Sequence, residues 1–233
     1  MKMLENKWAL VTGSSRGIGQ QIAWGLAGRG CNIIVHGRER QNLDATLAGL
    51  KAYPVQTAIA TGELASAAGV AQVIEQASAA PGPVDILYNN AAVQARSESI
   101  LTIDQAEWNR VFQINVWALM ALCQAFAPGM RARGYGRIIN LTSGIADQPN
   151  LAVYSVSKAA VDKYSRDLAA EFKGENVLVN YLDPGWLQTD LGGKNAWFPV
   201  ETVLPGALVP ALLEDNGPTG RFFSAMDFKY LEK

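Results

Sequence analysis

Histidine is almost missing from this chain. His36 is the single one in 233 residues. An imidazole-based metal site is thereby excluded, and so is a hydrolase that relies on a Ser–His pair. Cysteine is nearly as scarce. Cys31 and Cys123 stand far apart in no metal or redox spacing, and read as two reduced, buried thiols. Neither sign of charge dominates: 20 Lys and Arg face 21 Asp and Glu, for a net charge of −1. With no polybasic run, neither nucleic acid nor a membrane surface is expected as a partner. No apolar run looks long enough to span a bilayer, and Met1 to Trp8 lack the apolar region of a signal peptide. The expectation is a soluble cytoplasmic protein without a metal.

What the chain does have is apolar mass and a regular alternation. Hydrophobic residues make up 49% of it, enough for one sizeable core, and residues 1–233 are expected to form a single domain. Short apolar runs predict strands at Trp8–Thr12, Cys31–Val35, Val55–Ala60, Asp85–Tyr88, Arg137–Leu141, Val177–Leu182 and Arg221–Ser224. Helical spacing lies between them, with one long helical region from Asp104 to Arg133 and another near Val203 to Leu213. Strands alternating with crossover helices predict an α/β fold.

Between the first strand and its helix lies Gly13-x-x-x-Gly17-x-Gly19. Gly13 can take a backbone angle that other residues resist. Gly17 lets the chain approach a pyrophosphate, and Gly19 lets helix and strand pack closely. The helix start offers unpaired N–H groups and partial positive charge. A second stretch, Asn140 to Lys158, holds Ser143, Tyr154 and Lys158. Tyr154 and Lys158 are four apart, hence on one helix face. A nearby ammonium is expected to lower the phenol's pKa, and a serine hydroxyl could hold a carbonyl or alcohol oxygen.

With Asn89-Asn90-Ala91, Asn115, and Asp183-Pro184-Gly185 followed by Thr189 in the same order, the sequence resembles the short-chain dehydrogenase/reductase family from Lys7 to Phe223. The resemblance implies one doubly wound Rossmann-type domain, with a seven-stranded parallel sheet in the order 3-2-1-4-5-6-7 and helices on both faces. It implies a reductase passing hydride from a nicotinamide cofactor to a small-molecule carbonyl. Alternatives are alcohol, sugar or polyol oxidation by the same chemistry, or a non-catalytic dinucleotide sensor. By resemblance, Tyr154 is the general acid or base and Lys158 lowers its pKa and binds the nicotinamide ribose. Ser143 holds the substrate oxygen, and Asn115 holds a water joining Lys158 to solvent. The implied dinucleotide contacts are Gly13, Ser15, Arg16, Gly17, Ile18, Gly19, Arg38, Glu63, Leu64, Asn90, Ala91, Tyr154, Lys158, Pro184, Gly185, Leu187 and Thr189. The resemblance also implies a homotetramer or homodimer. The C-terminal stretch Asp227 to Lys233 departs from the family's common ending, and so does Ala92, where glycine is usual.

The choice of dinucleotide is read at the end of the second strand. An acidic residue there would accept the ribose 2′-OH, but this chain has Gly37, followed by Arg38. Arg16 sits within the glycine turn. A guanidinium grips phosphate through paired hydrogen bonds. NADP(H) is therefore expected over NAD(H), with Glu39 discounted as lying beyond the strand end. Trp186, Trp197 and Phe198 are read either as substrate-side residues or as core.

Overall fold

A computed structural model describes residues 4–231. The chain's extreme ends, including part of the Met1–Trp8 opening and of the Asp227–Lys233 stretch, lie outside the described residues. Among the described residues nine strands form: β1 Trp8–Val11, β2 Asn32–Gly37, β3 Thr57–Thr61, β4 Ile86–Asn89, β5 Gly136–Leu141, β6 Val177–Asp183, β7 Leu187–Gln188, β8 Phe198–Pro199 and β9 Phe222–Ser224. Six α-helices join them: α1 Gly17–Ala27, α2 Asp44–Leu50, α3 Ala67–Ser78, α4 Gln105–Phe112, α5 Leu119–Arg133 and α6 Ala152–Glu171. Seven strands make one parallel sheet in the order β3-β2-β1-β4-β5-β6-β9. This is the expected order. The seventh sheet strand is β9 only because β7 and β8 pair separately, Leu187 opposite Phe198.

Strands β1, β2, β4 and β5 are buried along their whole length because both faces of the sheet are covered. Alternate side chains go to opposite sides. Ala9, Val11, Ile33 and Val35 pack towards α1 and the 203–211 segment. Leu10, Ile34, Leu87 and Ile138 pack towards α3, α5 and α6. A third, smaller cluster gathers Ala95, Val111, Val153 and the ring of Tyr154.

Two expectations need correction. The segment near Val203 to Leu213 is not an α-helix. It forms 3-10 turns at Val200–Val203 and Gly206–Ala211, with Pro210 inside the second. A proline removes an N–H and crowds the preceding turn, so Pro205 and Pro210 interrupt regular helix here. The region from Asp104 to Arg133 is helical, but its middle, Gln113–Ala118, opens into a π turn. That rod, Gln105–Arg133, is long and apolar enough to cross a bilayer by length and composition, with a mean hydropathy of 1.4. The expectation that no apolar run reaches that length therefore does not hold. Its apolar side chains Leu119, Leu122, Cys123, Phe126 and Met130 are buried in the core shared with the sheet.

Candidate active site

All seven strands point the same way, so the segments following β1, β4, β5 and β6 emerge along one edge. Such an edge is where open α/β sheets take ligands. After β1 the chain turns through Gly13 (φ +64°) and Gly17 (φ +60°), both in the left-handed region. A side chain on Gly19 would lie 2.4 Å from the Gly13 carbonyl oxygen, so only glycine lets α1 sit this close to the turn. No side chain caps the start of α1, and its first turn carries no acid. Its leading N–H groups are thus available to an anion, and the turn fits a dinucleotide pyrophosphate.

Several side chains hold that turn. The Gly13 N–H donates to Nδ1 of His36 at 3.0 Å, and Nε2 of His36 lies 3.1 Å from the Gly62 carbonyl. Thr12 Oγ1 accepts from the N–H groups of Asn90 at 2.9 Å and Ala91 at 3.0 Å. Asn90 Nδ2 donates back to the carbonyls of Thr12 at 2.7 Å and Gly13 at 3.2 Å. The chain beyond β6 arrives from the other side. Thr189 lies over Gly17, its methyl 3.5 Å from where a Cβ would stand, and the Arg16 guanidinium pairs with Asp190 at 2.7 Å.

The catalytic candidates converge after β5 and along α6. The Ser143 hydroxyl faces the Tyr154 phenol closely enough to favour its ionised form, and it accepts from the Ile145 N–H at 3.3 Å. Both Tyr154 and Lys158 are buried. Lys158 Nζ stands 5.6 Å from the Tyr154 ring centre and donates to the Leu141 carbonyl at 2.8 Å. The expected lowering of the phenol's pKa does not occur. Burial pushes Tyr154 up to about 12, against the opposing effect of the Ser143 hydroxyl. Burial also pushes Lys158 down to about 8, with Asp162 and Asp183 acting the other way. Removal of each charged form from water outweighs the neighbours that favour it, and the ammonium donates to a backbone carbonyl rather than to the phenol.

Asn115 sits in the π turn. Its Oδ1 accepts from the Val93 N–H at 2.9 Å, and its Nδ2 donates to the Val93 carbonyl at 2.9 Å and the Ser157 hydroxyl at 3.1 Å. Its side chain therefore braces the 90–93 segment against α6, one residue from Lys158. The arginines expected beside a 2′-phosphate are exposed. Arg38 lies 3.9 Å from Glu63, and Arg16 carries Asp190. Glu39 is bonded to Gln41 at 2.6 Å and lines an open hollow with Arg40, Gln41 and Asp44. Among the described residues no cluster of His, Cys, Asp and Glu could hold a metal.

The sequence model of the family described as short chain dehydrogenase matches residues 7–197. The chain belongs to the short-chain dehydrogenase family of oxidoreductases. One relative, dehydrogenase/reductase SDR family member 4 of Sus scrofa, is 35% identical over 191 residues, which is 81% of this chain and 68% of that protein. A gluconate 5-dehydrogenase from Burkholderia cenocepacia J2315, solved with NADP and tartrate, is 27% identical with a TM-score of 0.81, covering 95% of this chain and 94% of that one. An NAD+-bound xylitol dehydrogenase shares the fold, with a TM-score of 0.84 at 24% identity over 96% of this chain and 98% of that one.

Within this dehydrogenase fold the residues singled out from sequence divide into two groups. Gly13, Gly17, Gly19, Asn90, Ser143, Tyr154, Lys158 and Thr189 lie along the strand-end edge with the contacts just given, and Pro184 and Gly185 follow β6 there. Leu64 and Leu187 are buried in the two cores, and Ile18 packs against one of them, so only their backbones can face a ligand. Trp186 and Trp197 are exposed and meet edge to face, ring centres 5.5 Å apart, whereas Phe198 packs on the core. Sequence reasoning missed Ser157 as a site residue, and it did not show what the side chains of Thr12, His36 and Asp183 bind. Each has at least one partner 22 or more residues away, which no local pattern reveals.

Proposed function

We propose that this chain is an NADP(H)-dependent oxidoreductase that moves hydride between a nicotinamide and a small-molecule carbonyl or secondary alcohol. The observation that carries the reading is the buried Tyr154 phenol, with the Ser143 hydroxyl facing it and Lys158 Nζ 5.6 Å from its ring centre, on the edge that also holds the glycine turn. Bound nicotinamide would supply or accept the hydride. Ser143 would hold the substrate oxygen and Tyr154 would pass it a proton. A phenol held near 12 stays protonated at neutral pH, the form that donates. Carbonyl reduction, which starts from that protonated form, is the direction proposed. Lys158 would hold the ribose, and Asn115 would keep the neighbouring turn of α6 in place. The carbonyl-reductase or alcohol-dehydrogenase type is part of the proposal.

Support for NADP(H) comes from Gly37 closing β2 without a carboxylate, from Arg38 and Arg16, and from the NADP held by the gluconate 5-dehydrogenase relative. Each arginine would exchange its acidic neighbour for phosphate. A second reading, sugar or polyol oxidation, is favoured by the names of those two structural neighbours. A sensor without turnover would have no use for the Ser143–Tyr154–Lys158 set. Exposed Trp117 and Val156, on the helical layer opposite the sheet, support a homotetramer or homodimer, and the cytoplasm is the proposed location. The test is to mix purified protein with NADPH or NADH and a panel of ketones and aldehydes. Carbonyl-dependent oxidation, faster with NADPH, is the expected result. No turnover with either dinucleotide would remove the reading.

A further inference from the structure

Asp183 closes β6 and sits where two loops of the site meet. Its Oδ2 accepts from the Gly144 N–H at 3.1 Å, next to Ser143. Its Oδ1 accepts from the Gly185 N–H at 2.9 Å. The sheet explains the placement. β5 and β6 remain paired up to Leu141 opposite Leu182, and the Thr142 N–H still reaches the Leu182 carbonyl at 2.9 Å. Beyond that point the backbones part, and the Asp183 side chain joins them instead. The fit is close: a Cβ on Gly144 would lie 2.8 Å from Oδ2. The titratable groups that feel this carboxylate are Tyr154, Lys158 and Asp162, all on α6.

We propose that Asp183 is a positioning and specificity-determining residue: it clamps the Ser143 loop to the Pro184–Gly185 loop, and its fixed negative charge makes the site take neutral carbonyl compounds in preference to those bearing a carboxylate beside the reacting carbon. The inference rests on the oxidoreductase reading above. Clamping follows from the two bonds, one to each loop, because losing either frees a loop that carries site residues. Charge selection follows from proximity. Two like charges a few ångströms apart in a partly dewatered site repel far more than in bulk water. A substrate oxygen held by Ser143 and Tyr154 places the substituents of its carbon near that carboxylate. An ester in place of the acid escapes the repulsion and keeps the same reacting carbonyl.

The experiment compares matched pairs, methyl pyruvate with pyruvate and methyl benzoylformate with benzoylformate, in wild type, Asp183→Asn and Asp183→Glu. Dinucleotide Kd and melting temperature are measured alongside. Wild type is expected to show kcat/KM at least about tenfold higher for the esters. Asp183→Asn should bring the ratio towards one, mainly by lowering KM for the acids. It should also weaken dinucleotide binding severalfold, because the amide cannot accept both N–H groups equally. Asp183→Glu keeps the charge and should keep the preference, which separates charge from clamping and covers the case of a poorly folded Asn variant. Acids reduced as well as esters by wild type, or an unchanged ratio in folded Asp183→Asn, would overturn charge selection. If no carbonyl is reduced at all, the oxidoreductase reading fails on its own. The clamp is then judged by dinucleotide affinity, and an equal Kd in wild type and Asp183→Asn would overturn it.

Discussion

The backbone N–H of Gly13 donates to Nδ1 of His36 across 23 residues of sequence, at 3.0 Å. That bond fixes the tautomer. Nδ1 must be the bare nitrogen, so Nε2 carries the proton and donates to the Gly62 carbonyl at 3.1 Å. The one histidine of the chain thereby ties the glycine turn to the loop after β3.

His36→Leu should leave the Gly13 N–H without its partner. An orphaned buried donor costs about 1–3 kcal/mol, so the melting temperature should fall by several degrees and dinucleotide Kd should rise. The pH dependence has a definite sign. Burial lowers the folded pKa of His36 below its ordinary 6.5. Its contribution to stability is fully present above 6.5 and is lost as pH falls through the lower folded value. Melting curves of wild type and His36→Leu from pH 7 to 4 check this: the two should converge on acidification, and a constant gap would contradict it.

Lys158 illustrates a conflict between stability and function. Its ammonium is buried and its pKa is held at about 8. The unfolded chain binds that proton more readily, so the group costs stability below pH 8 and the cost vanishes as pH rises past its ordinary 10.5. Lys158→Met should abolish turnover and weaken dinucleotide binding, yet leave the melting temperature at pH 7 unchanged or higher. In wild type, dinucleotide affinity should decline as pH rises through about 8 and the charge is lost. Calorimetry and binding titrations over pH 6 to 10 would show both. A large fall in melting temperature for Lys158→Met would contradict the account.

How far the sequence could be read follows from what each signal depends on. The strands were legible because a parallel sheet buried on both faces needs apolar runs, as at Ile33–Val35 and Ile138–Ile139, whereas their order came from the family resemblance. Tyr154 and Lys158 were legible because helix periodicity alone places them together. The π turn around Asn115 was not, since its sequence, Gln113–Ala118, reads as ordinary helix. Asp183 was hidden because its partners are Gly144 and Gly185, and only the parting of β5 and β6 brings it between them. The raised Tyr154 pKa was missed for a related reason. Spacing shows that the lysine is near but says nothing of how far burial outweighs it.

Glu107 makes a prediction outside the catalytic set. It is buried, accepts from the Arg96 N–H at 2.7 Å, and takes Arg110 through bonds of 2.7 and 2.8 Å. Arg110 reaches on to the Gln94 carbonyl at 2.9 Å. The Arg110 bonds hold the Glu107 carboxyl at about 2, below its ordinary 4.5. Its stabilising effect is fully present above 4.5 and is lost as pH falls through about 2. Glu107→Gln should lower the melting temperature at pH 7, with the difference shrinking towards pH 2. A difference independent of pH would count against the ion pair.

Cofactor choice can be read at two side chains. Arg38→Ala and Arg16→Ala should each lower kcat/KM for NADPH by about tenfold or more, the scale of a lost charge-assisted hydrogen bond, with little change for NADH. Because Asp190 competes for Arg16 at 2.7 Å, Asp190→Asn should improve NADPH use. A wild type preferring NADH, or variants that lose both dinucleotides equally, would reverse the assignment.

The central claim is that the Tyr154 phenol transfers the proton. Its most direct test is turnover and dinucleotide affinity measured together in Tyr154→Phe. The ring stays packed against Val111 and Val153, and only the hydroxyl is lost. The account predicts a fall in kcat of at least about 100-fold, the usual weight of a general acid, with dinucleotide Kd within about a factor of three of wild type, under about 0.7 kcal/mol. Turnover close to wild type, or turnover and dinucleotide binding lost together, would contradict it.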